Sequence, residues 1–394
     1  MGIMSLTRRR FLEQALVASA GWGLATGHAQ TSAPLGFFST RKRQGRWWLT
    51  TPAGEPFWSL GLNHLDSATL RYPENGDIWH RRYGNSMARW LAAVRQDLEE
   101  WGFNTLGWNQ ESVTWNDQNR RHSRSFTYEE YQWLGMPYCH LLPFIESHQW
   151  EVETRLPDLR STGFADWCDY VSRDQCARMK DDPRLIGYFF TDCPTWVHQS
   201  EATAWKAPLF DPGLLKTAAG RRELHDLART YYRVTTEAVR RYDPHHLIFG
   251  DRYEANRPLP EEVVSAALPL VDGLAFQCFG NATVVQERLG RWAHFADKPL
   301  LLADNAPWQQ PTHDGWPPQA VRHIDPAQYR NILSVLRQIP QCVGYHLCGA
   351  YLRNRTRRYG LKDENDELDP STPALREANQ DMHRWVDNQL QPAN

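Results

Sequence analysis

Two aspartates that follow strongly apolar segments are the clearest candidates for chemistry in this chain of 394 residues. Asp192 ends the segment LIGYFFTD (185–192), and Asp304 ends the segment LLLAD (300–304). Desolvation raises a carboxyl pKa, and of two carboxyls that face each other one tends to keep its proton while the other ionises. Cleavage of a glycosidic bond requires such a pair. We therefore predict that Asp192 and Asp304 are catalytic, although a helix N-cap or an ion pair would also explain either residue alone.

The elements that must position these aspartates alternate regularly from residue 57 onward. Eight short apolar segments are predicted as strands, at 57–62, 105–108, 139–145, 185–190, 246–249, 273–278, 299–303 and 343–347. Amphipathic stretches between them are predicted as helices, at 86–101, 167–180, 221–241, 261–268, 285–295 and 326–339. Eight parallel β/α units close a barrel, so we predict the α/β class and a (β/α)8 TIM barrel.

The chain ahead of the barrel divides into two predicted segments. Residues 1–29, with TRRRFL (7–12) before an apolar run, are typical of a twin-arginine signal, which predicts a periplasmic or secreted protein; an amphipathic helix is the alternative. Residues 30–56 are predicted to form a β-hairpin with the first residues of 57–394, the barrel, because the turn-rich TPAGEP (51–56) separates RWWL from FWSL. No later segment reaches the ~20 apolar residues of a membrane span, so no stable insertion is expected after processing.

Composition narrows the class of partner. The 44 basic and 46 acidic residues nearly balance, which argues against nucleic acid bound by bulk charge. The seven cysteines show no zinc-ligand spacing, so we expect buried thiols, no metal and no cofactor, with one disulfide left open. The 18 tryptophans are compatible with a carbohydrate partner, because sugar rings stack on aromatic faces. The oligomeric state is not predicted.

The polar residues that follow the strands should surround the substrate, because barrel enzymes bind at the C-terminal ends of their strands. Loops 110–133 and 193–218 are predicted to wall this cleft. The end of the fifth strand supplies Asp251 and Glu254 in addition to an arginine. Any of these polar groups could instead be structural. The predicted substrate-binding residues are Asn63, His64, Asp66, Asn109, Glu146, Trp196, Arg252, Gln277, Asn305, Trp308 and Arg353.

An arginine-rich segment, RNRTRR (353–358), follows the eighth strand. Guanidinium groups match carboxylates and sulfates, which raises the hypothesis of an acidic or sulfated sugar. The alternative is that these arginines form salt bridges with Asp363, Glu364 and Asp366. Both interpretations stay open from the sequence.

Several short motifs resemble a known family. The segments GRWWL (45–49), PFWSLGLN (56–63) and WGFNTLG (101–107) look like the start of agarase-like, family 50-like glycoside hydrolases of clan A. The segment YGLKDEN (359–365) is similar to the final loop of that clan. The resemblance implies a barrel that cleaves O-glycosidic bonds of an oligosaccharide or polysaccharide.

The resemblance also implies roles for the two aspartates. In the clan the fourth strand ends in Asn-Glu, whose glutamate is the general acid/base, and the seventh strand ends in the nucleophilic glutamate. By position Asp192 becomes the acid/base and Asp304 the nucleophile or base. Because aspartate is one methylene shorter than glutamate, both a retaining and an inverting mechanism stay open. The alternatives are a non-catalytic carbohydrate-binding barrel and a transglycosylase that uses the same site.

Overall fold

The protein folds as a closed barrel of eight parallel strands, as the sequence predicts. The computed structural model describes residues 36–75, 77–108, 110–116, 119–145, 147–148, 153–154, 156–197, 211–307, 321–354 and 358–390. In order around the barrel, its strands are β4 (Ser59–Leu62), β5 (Thr105–Leu106), β8 (Tyr138–Leu141), β11 (Leu185–Asp192), β12 (Leu247–Glu254), β13 (Leu274–Gln277), β14 (Leu300–Asn305) and β15 (Cys342–Leu347). The eight predicted strands correspond to these eight.

Helices surround the barrel on its outer side. The helices are α1 (Ile78–Tyr83), α2 (Met87–Glu100), α3 (Tyr128–Leu134), α4 (Thr162–Met179), α5 (Ala218–Tyr242), α6 (Glu261–Ala267), α7 (Ala282–Ala296), α8 (Pro326–Arg337) and α9 (Thr372–Leu390). The six predicted helices match α2 and α4 to α8. Among the described residues, no helix is both long enough and apolar enough to cross a membrane.

A three-stranded antiparallel sheet precedes the barrel. Strand β2 (Arg46–Thr50) pairs with β1 (Ser39–Arg43) on one side and with β3 (Pro56–Phe57) on the other. The predicted hairpin is therefore present, with Leu49 opposite Phe57, and it gains a strand that the sequence did not indicate. Leu49 belongs to the same buried cluster as Ile186 and Val343 inside the barrel, so the sheet covers the N-terminal ends of the strands.

One predicted loop is wrong in part. Residues 110–133 contain an antiparallel hairpin, β6 (Gln110–Asn116) with β7 (Asn119–Ser125), followed by most of helix α3. Strand β7 is polar throughout, and the alternation in β6 is limited to Val113 and Trp115, so the sequence gives only a weak strand pattern. Strands β9 (Ser147–His148) and β10 (Glu153–Thr154) form a second short hairpin after β8.

Two apolar layers hold the barrel together. The inner layer fills the barrel with side chains such as Phe189, Phe249 and Leu301, and the outer layer joins the strands to the helices. Burial on both faces explains why the strands are continuous apolar runs in the sequence. All seven cysteines are free and buried, as expected, and none forms a disulfide.

Candidate active site

A single buried guanidinium connects the two predicted catalytic aspartates. Arg252 Nη1 donates to Asp192 Oδ1 at 2.5 Å, and Arg252 Nη2 lies 3.1 Å from Asp304 Oδ2. Since both carboxylates contact one planar fork, their nearest oxygens are within about 8 Å of each other. Asp192 ends β11 and Asp304 lies near the end of β14, so these strands bring together residues that are far apart in sequence.

The backbone of β12 explains why an arginine lies inside the barrel. Phe249 points inward, so strict alternation would also place residue 251 inside. Gly250 has a φ of +67°, however, and the pairing of β12 with β11 shifts register next to it. Asp251 consequently points outward, where Tyr231 and Tyr232 each donate to it at 2.7 Å. Arg252 therefore takes the inward position.

Two amides complete the contacts of the carboxylates. Asn63 Nδ2 donates to Asp304 Oδ1 at 2.9 Å, and Asn63 Oδ1 accepts from the backbone N–H of Trp108 at 2.9 Å. Gln277 Nε2 donates to Asp192 Oδ1 at 2.5 Å. Three of the predicted binding residues, Asn63, Arg252 and Gln277, thus contact the aspartate pair directly.

The environment of the pair is closed and apolar on the inner side. The guanidinium carbon of Arg252 lies 4.4 Å from the centre of the Trp108 ring and 5.7 Å from that of Phe189. Arg252 is fully buried, whereas the side chain of Asp192 keeps 12% of its surface exposed. The pair is therefore accessible from one side, the C-terminal end of the barrel.

The two aspartates differ in their electrostatic surroundings. Burial raises the pKa of Asp192 to about 6 from its ordinary 3.8; the charge of Asp304 adds to the effect, and Arg252 opposes it. Asp304 accepts from Asn63 Nδ2 on Oδ1, and its Oδ2 forms an ion pair with Arg252 Nη2. Burial disfavours the charge of Arg252, but Asp192 and Asp304 raise its pKa.

A third carboxyl group, Glu254, lies beside the pair. Glu254 is the last residue of β12, two positions beyond Arg252, and is only partly buried. Burial raises its pKa to about 7; Asp304 and Asp192 contribute, while the backbone of Asn256 and the charge of Arg257 oppose the shift. The sequence places Glu254 on the rim but does not select it. No sequence signal selects it, because the inward direction of Arg252, two residues earlier, depends on the left-handed backbone at Gly250.

Other predicted residues lie near the pair or behind it. His64 has a left-handed φ of +61°, and its ring packs edge-on against Trp108 at 4.9 Å. Asn305 connects strands, because it donates to the carbonyl of Cys278 at 2.6 Å and accepts from Tyr345 at 3.1 Å. These contacts give Asn305 a role in holding β14.

Three predicted residues have contacts away from the pair. Asp66 accepts from the backbone of Ala68 at 2.8 Å, and Trp196 packs at 5.6 Å against Tyr231 in the outer layer. Arg353 donates to Glu364 and to Asp369, each at 3.0 Å. The structure thus realises part of the salt-bridge alternative for the arginine-rich segment. Asn109, Glu146 and Trp308 lie outside the described residues.

One group of potential metal ligands includes a member of the pair. Donor atoms of His64, Asp304 and Cys348 lie within 4.8 Å of one another. Asn63 already donates to Asp304 Oδ1, Arg252 forms an ion pair with Oδ2, and an adjacent guanidinium repels a divalent cation. This electrostatic setting suits a carboxylate that reacts without a metal better than one that binds a cation.

The comparisons with known proteins give similarity of structure. No family model matches the chain, and no curated protein matches it. An agarase superposes with a TM-score of 0.66 and 18% identity, over 90% of this chain and 64% of its own. An exo-beta-agarase gives 0.66 and 16%, over 90% of this chain and 66% of its own. A beta-glucuronidase of Bacteroides uniformis gives 0.54 and 13%, over 87% of this chain and 37% of its own.

These similarities establish a shared barrel fold. The chain spans less than two thirds of the length of the first of these agarases, so the larger protein has parts without a counterpart here.

Proposed function

We propose that this protein is a glycoside hydrolase that cleaves O-glycosidic bonds of an oligosaccharide or polysaccharide. Asp192 serves as general acid/base, and Asp304 serves as nucleophile or base. The observation that carries the proposal is the contact of both carboxylates with Arg252 at the open end of the barrel. The agarases and the beta-glucuronidase that share this fold support the reaction class.

The surroundings of the two carboxyls support these roles. A general acid must hold a proton before it reacts, which fits the raised pKa of Asp192. A second carboxylate across the cleft from the acid can act as nucleophile or base, which fits the position of Asp304 on the other side of Arg252.

A panel of glycosides tests the proposal. Wild type, Asp192→Asn and Asp304→Asn are assayed for product release from aryl glycosides and from bacterial and algal polysaccharides. We expect wild type to cleave at least one substrate and both variants to lose at least 100-fold, as is typical when acid–base chemistry is removed. Asp226→Asn, at an exposed position on the outer helix α5, is a control for loss of a carboxylate elsewhere.

The same panel separates the alternatives. Binding of a sugar without cleavage, measured by calorimetry, would favour the non-catalytic carbohydrate-binding barrel. Transfer to an added acceptor sugar would indicate a transglycosylase on the same site. Arg353 now donates to Glu364 and Asp369. To bind an acidic or sulfated substrate, Arg353 would have to release these two carboxylates and donate to the sugar.

The proposed location follows from the N-terminal residues. The twin-arginine motif at 7–12 supports export, which would bring the enzyme to polysaccharide outside the cytoplasm. To test this location, residues 1–35 are fused to a reporter that is active only after twin-arginine export. We expect the fusion to be exported and the double variant Arg8→Lys, Arg9→Lys to lose export.

A further inference from the structure

The position of Arg252 restricts how a sugar can reach the aspartate pair. Its guanidinium contacts Asp192 through one nitrogen and Asp304 through the other. A sugar ring therefore cannot lie in the plane of these contacts without displacing a fully buried charge. The space open to substrate lies toward the C-terminal ends of the strands, beyond Arg252, and Glu254 is the next residue of β12 on that face.

The backbone of Glu254 is fewer strands away from that of Asp304 than the backbone of Asp192 is. Glu254 is opposite Gln277 in the β12–β13 ladder, and Gln277 is opposite Asp304 in the β13–β14 ladder. Adjacent strands are about 4.8 Å apart. Two such spacings separate β12 from β14, so the backbones of Glu254 and Asp304 are about 10 Å apart. Three spacings separate β11 from β14, so the backbones of Asp192 and Asp304 are about 14 Å apart. Side chains that point into the barrel bring the carboxyl groups of Glu254 and Asp304 closer together than their backbones, toward the ~5–9.5 Å that separates the carboxyl pairs of glycosidases.

The hydrogen bonds of the three carboxyls also differ. Asp192 accepts from Arg252 and Gln277, both at 2.5 Å, whereas Asp304 accepts from Asn63 and forms an ion pair with Arg252. Glu254 accepts from the backbone N–H of Asn256 at 2.8 Å, which is a neutral donor. A cationic donor favours an ionised partner more strongly than a neutral donor does.

From this geometry we propose that Glu254 is a third catalytic carboxyl group, which donates the proton to the leaving-group oxygen when Asp192 is ionised. The inference rests on the proposed glycosidase function and deepens it. The Glu254 proton passes to the glycosidic oxygen as the bond from the anomeric carbon to that oxygen breaks, and the alcohol leaves. As nucleophile, Asp304 forms a glycosyl ester with the anomeric carbon; water then breaks this ester bond and gives its proton to the Glu254 carboxylate. As base, Asp304 takes a proton from the attacking water and releases it to solvent, and the Glu254 carboxylate regains a proton from solvent. Atoms and charge balance over the cycle.

The raised pKa values of Asp192 and Glu254 are consistent with Glu254 as the proton donor when Asp192 is ionised. With the pKa of Asp192 raised to about 6 and that of Glu254 to about 7, Glu254 holds more of its proton at neutral pH. Activity should fall as the pH rises through about 7, because the proton of Glu254 is lost. In Glu254→Gln the fall should begin near pH 6, since Asp192 is then the remaining acid.

Dependence on the leaving group tests the proposal directly. Once the panel has identified the sugar, Glu254→Gln is compared with wild type on its dinitrophenyl glycoside, which departs without an acid, and on its methyl glycoside, which needs one. We expect kcat/KM at pH 7 to fall about fivefold for methyl and less than twofold for dinitrophenyl, because Asp192, with a pKa of about 6, remains as a partly protonated acid. Glu261→Gln, whose glutamate pairs with Arg291 on the surface, is the matched control and should resemble wild type.

The outcomes are distinct. Equal losses on both substrates, or no loss on either, would overturn the role of Glu254 while leaving the aspartate pair intact. A thermal midpoint within a few degrees of wild type shows that the variant is folded. If wild type cleaves no glycoside, the proposed function fails, and the role of Glu254 fails with it.

Discussion

Replacing Arg252 with methionine removes the cation that both aspartates share. Methionine keeps much of the length of the side chain, so the change is chiefly electrostatic. The guanidinium is fully buried, with contacts of 2.5 Å to Asp192 and 3.1 Å to Asp304. Loss of one partner from a buried ion pair costs about 3–5 kcal/mol, because the remaining charge is left in the interior. We expect a decrease of that size in the free energy of unfolding at pH 8.

The decrease in the free energy of unfolding in Arg252→Met should depend on pH, and the direction follows from the pKa of Asp192. Folding raises the pKa of Asp192 from 3.8 to about 6, so the folded protein holds a proton that the unfolded chain has released. The contribution of Asp192 to stability is therefore greatest in acid and is lost as the pH rises through 6, by about 3 kcal/mol for the two-unit shift. Without Arg252 the pKa of Asp192 rises further, because the charge that lowers it is gone.

The assay is urea unfolding followed by tryptophan fluorescence at pH 5 and pH 8. The loss in Arg252→Met should be clearly smaller at pH 5, where a protonated Asp192 no longer needs the cation. Arg233→Met removes an exposed arginine that pairs with Glu237, and it should cost no more than about 0.5 kcal/mol at either pH. A loss below 1 kcal/mol at pH 8, or equal losses at both pH values, would refute the reasoning.

Three further predictions concern the support of the site. Gly107→Ala should lower kcat/KM at least tenfold, because the new Cβ would lie 2.1 Å from Asn63 Oδ1 and disturb its contact with Asp304; unchanged kinetics would contradict this. Tyr232→Phe should cost about 1–3 kcal/mol of stability by removing a donor to buried Asp251, with kcat unchanged at temperatures where the variant is folded. Dithiothreitol should leave the thermal midpoint unchanged, and a decrease would reveal a disulfide.

The barrel strands could be predicted because most of them are buried on both faces. Segments such as 185–190 are therefore apolar at every position, and their number and order predict the fold. Strand β12 was predicted to end at 249 but extends to Glu254. Its charged residues Asp251 and Arg252 are buried because each finds a partner on another element. Pairing of that kind depends on tertiary structure and leaves no local pattern in the sequence.

The residues at the strand ends of the site could be predicted from the sequence, whereas the contacts that link them could not. Asp192, Asp304 and Gln277 follow apolar runs and face the mouth, as the barrel rule requires. The inward direction of Arg252 depends on the left-handed backbone at Gly250, which a simple alternation does not anticipate. Trp196 was assigned to the mouth because of its type, yet it packs in the outer layer, where Tyr231 provides an aromatic neighbour.

Chemical rescue tests the central claim, that Asp304 reacts as a carboxylate. Asp304→Gly is assayed with the substrate found in the panel, with and without added formate or azide. We predict loss of activity in the variant and its partial return with either anion, as the anion takes the place of the missing carboxylate, while chloride has no effect. A folded variant that keeps wild-type activity, or that stays inactive with both anions and releases no product, would contradict a catalytic role for Asp304.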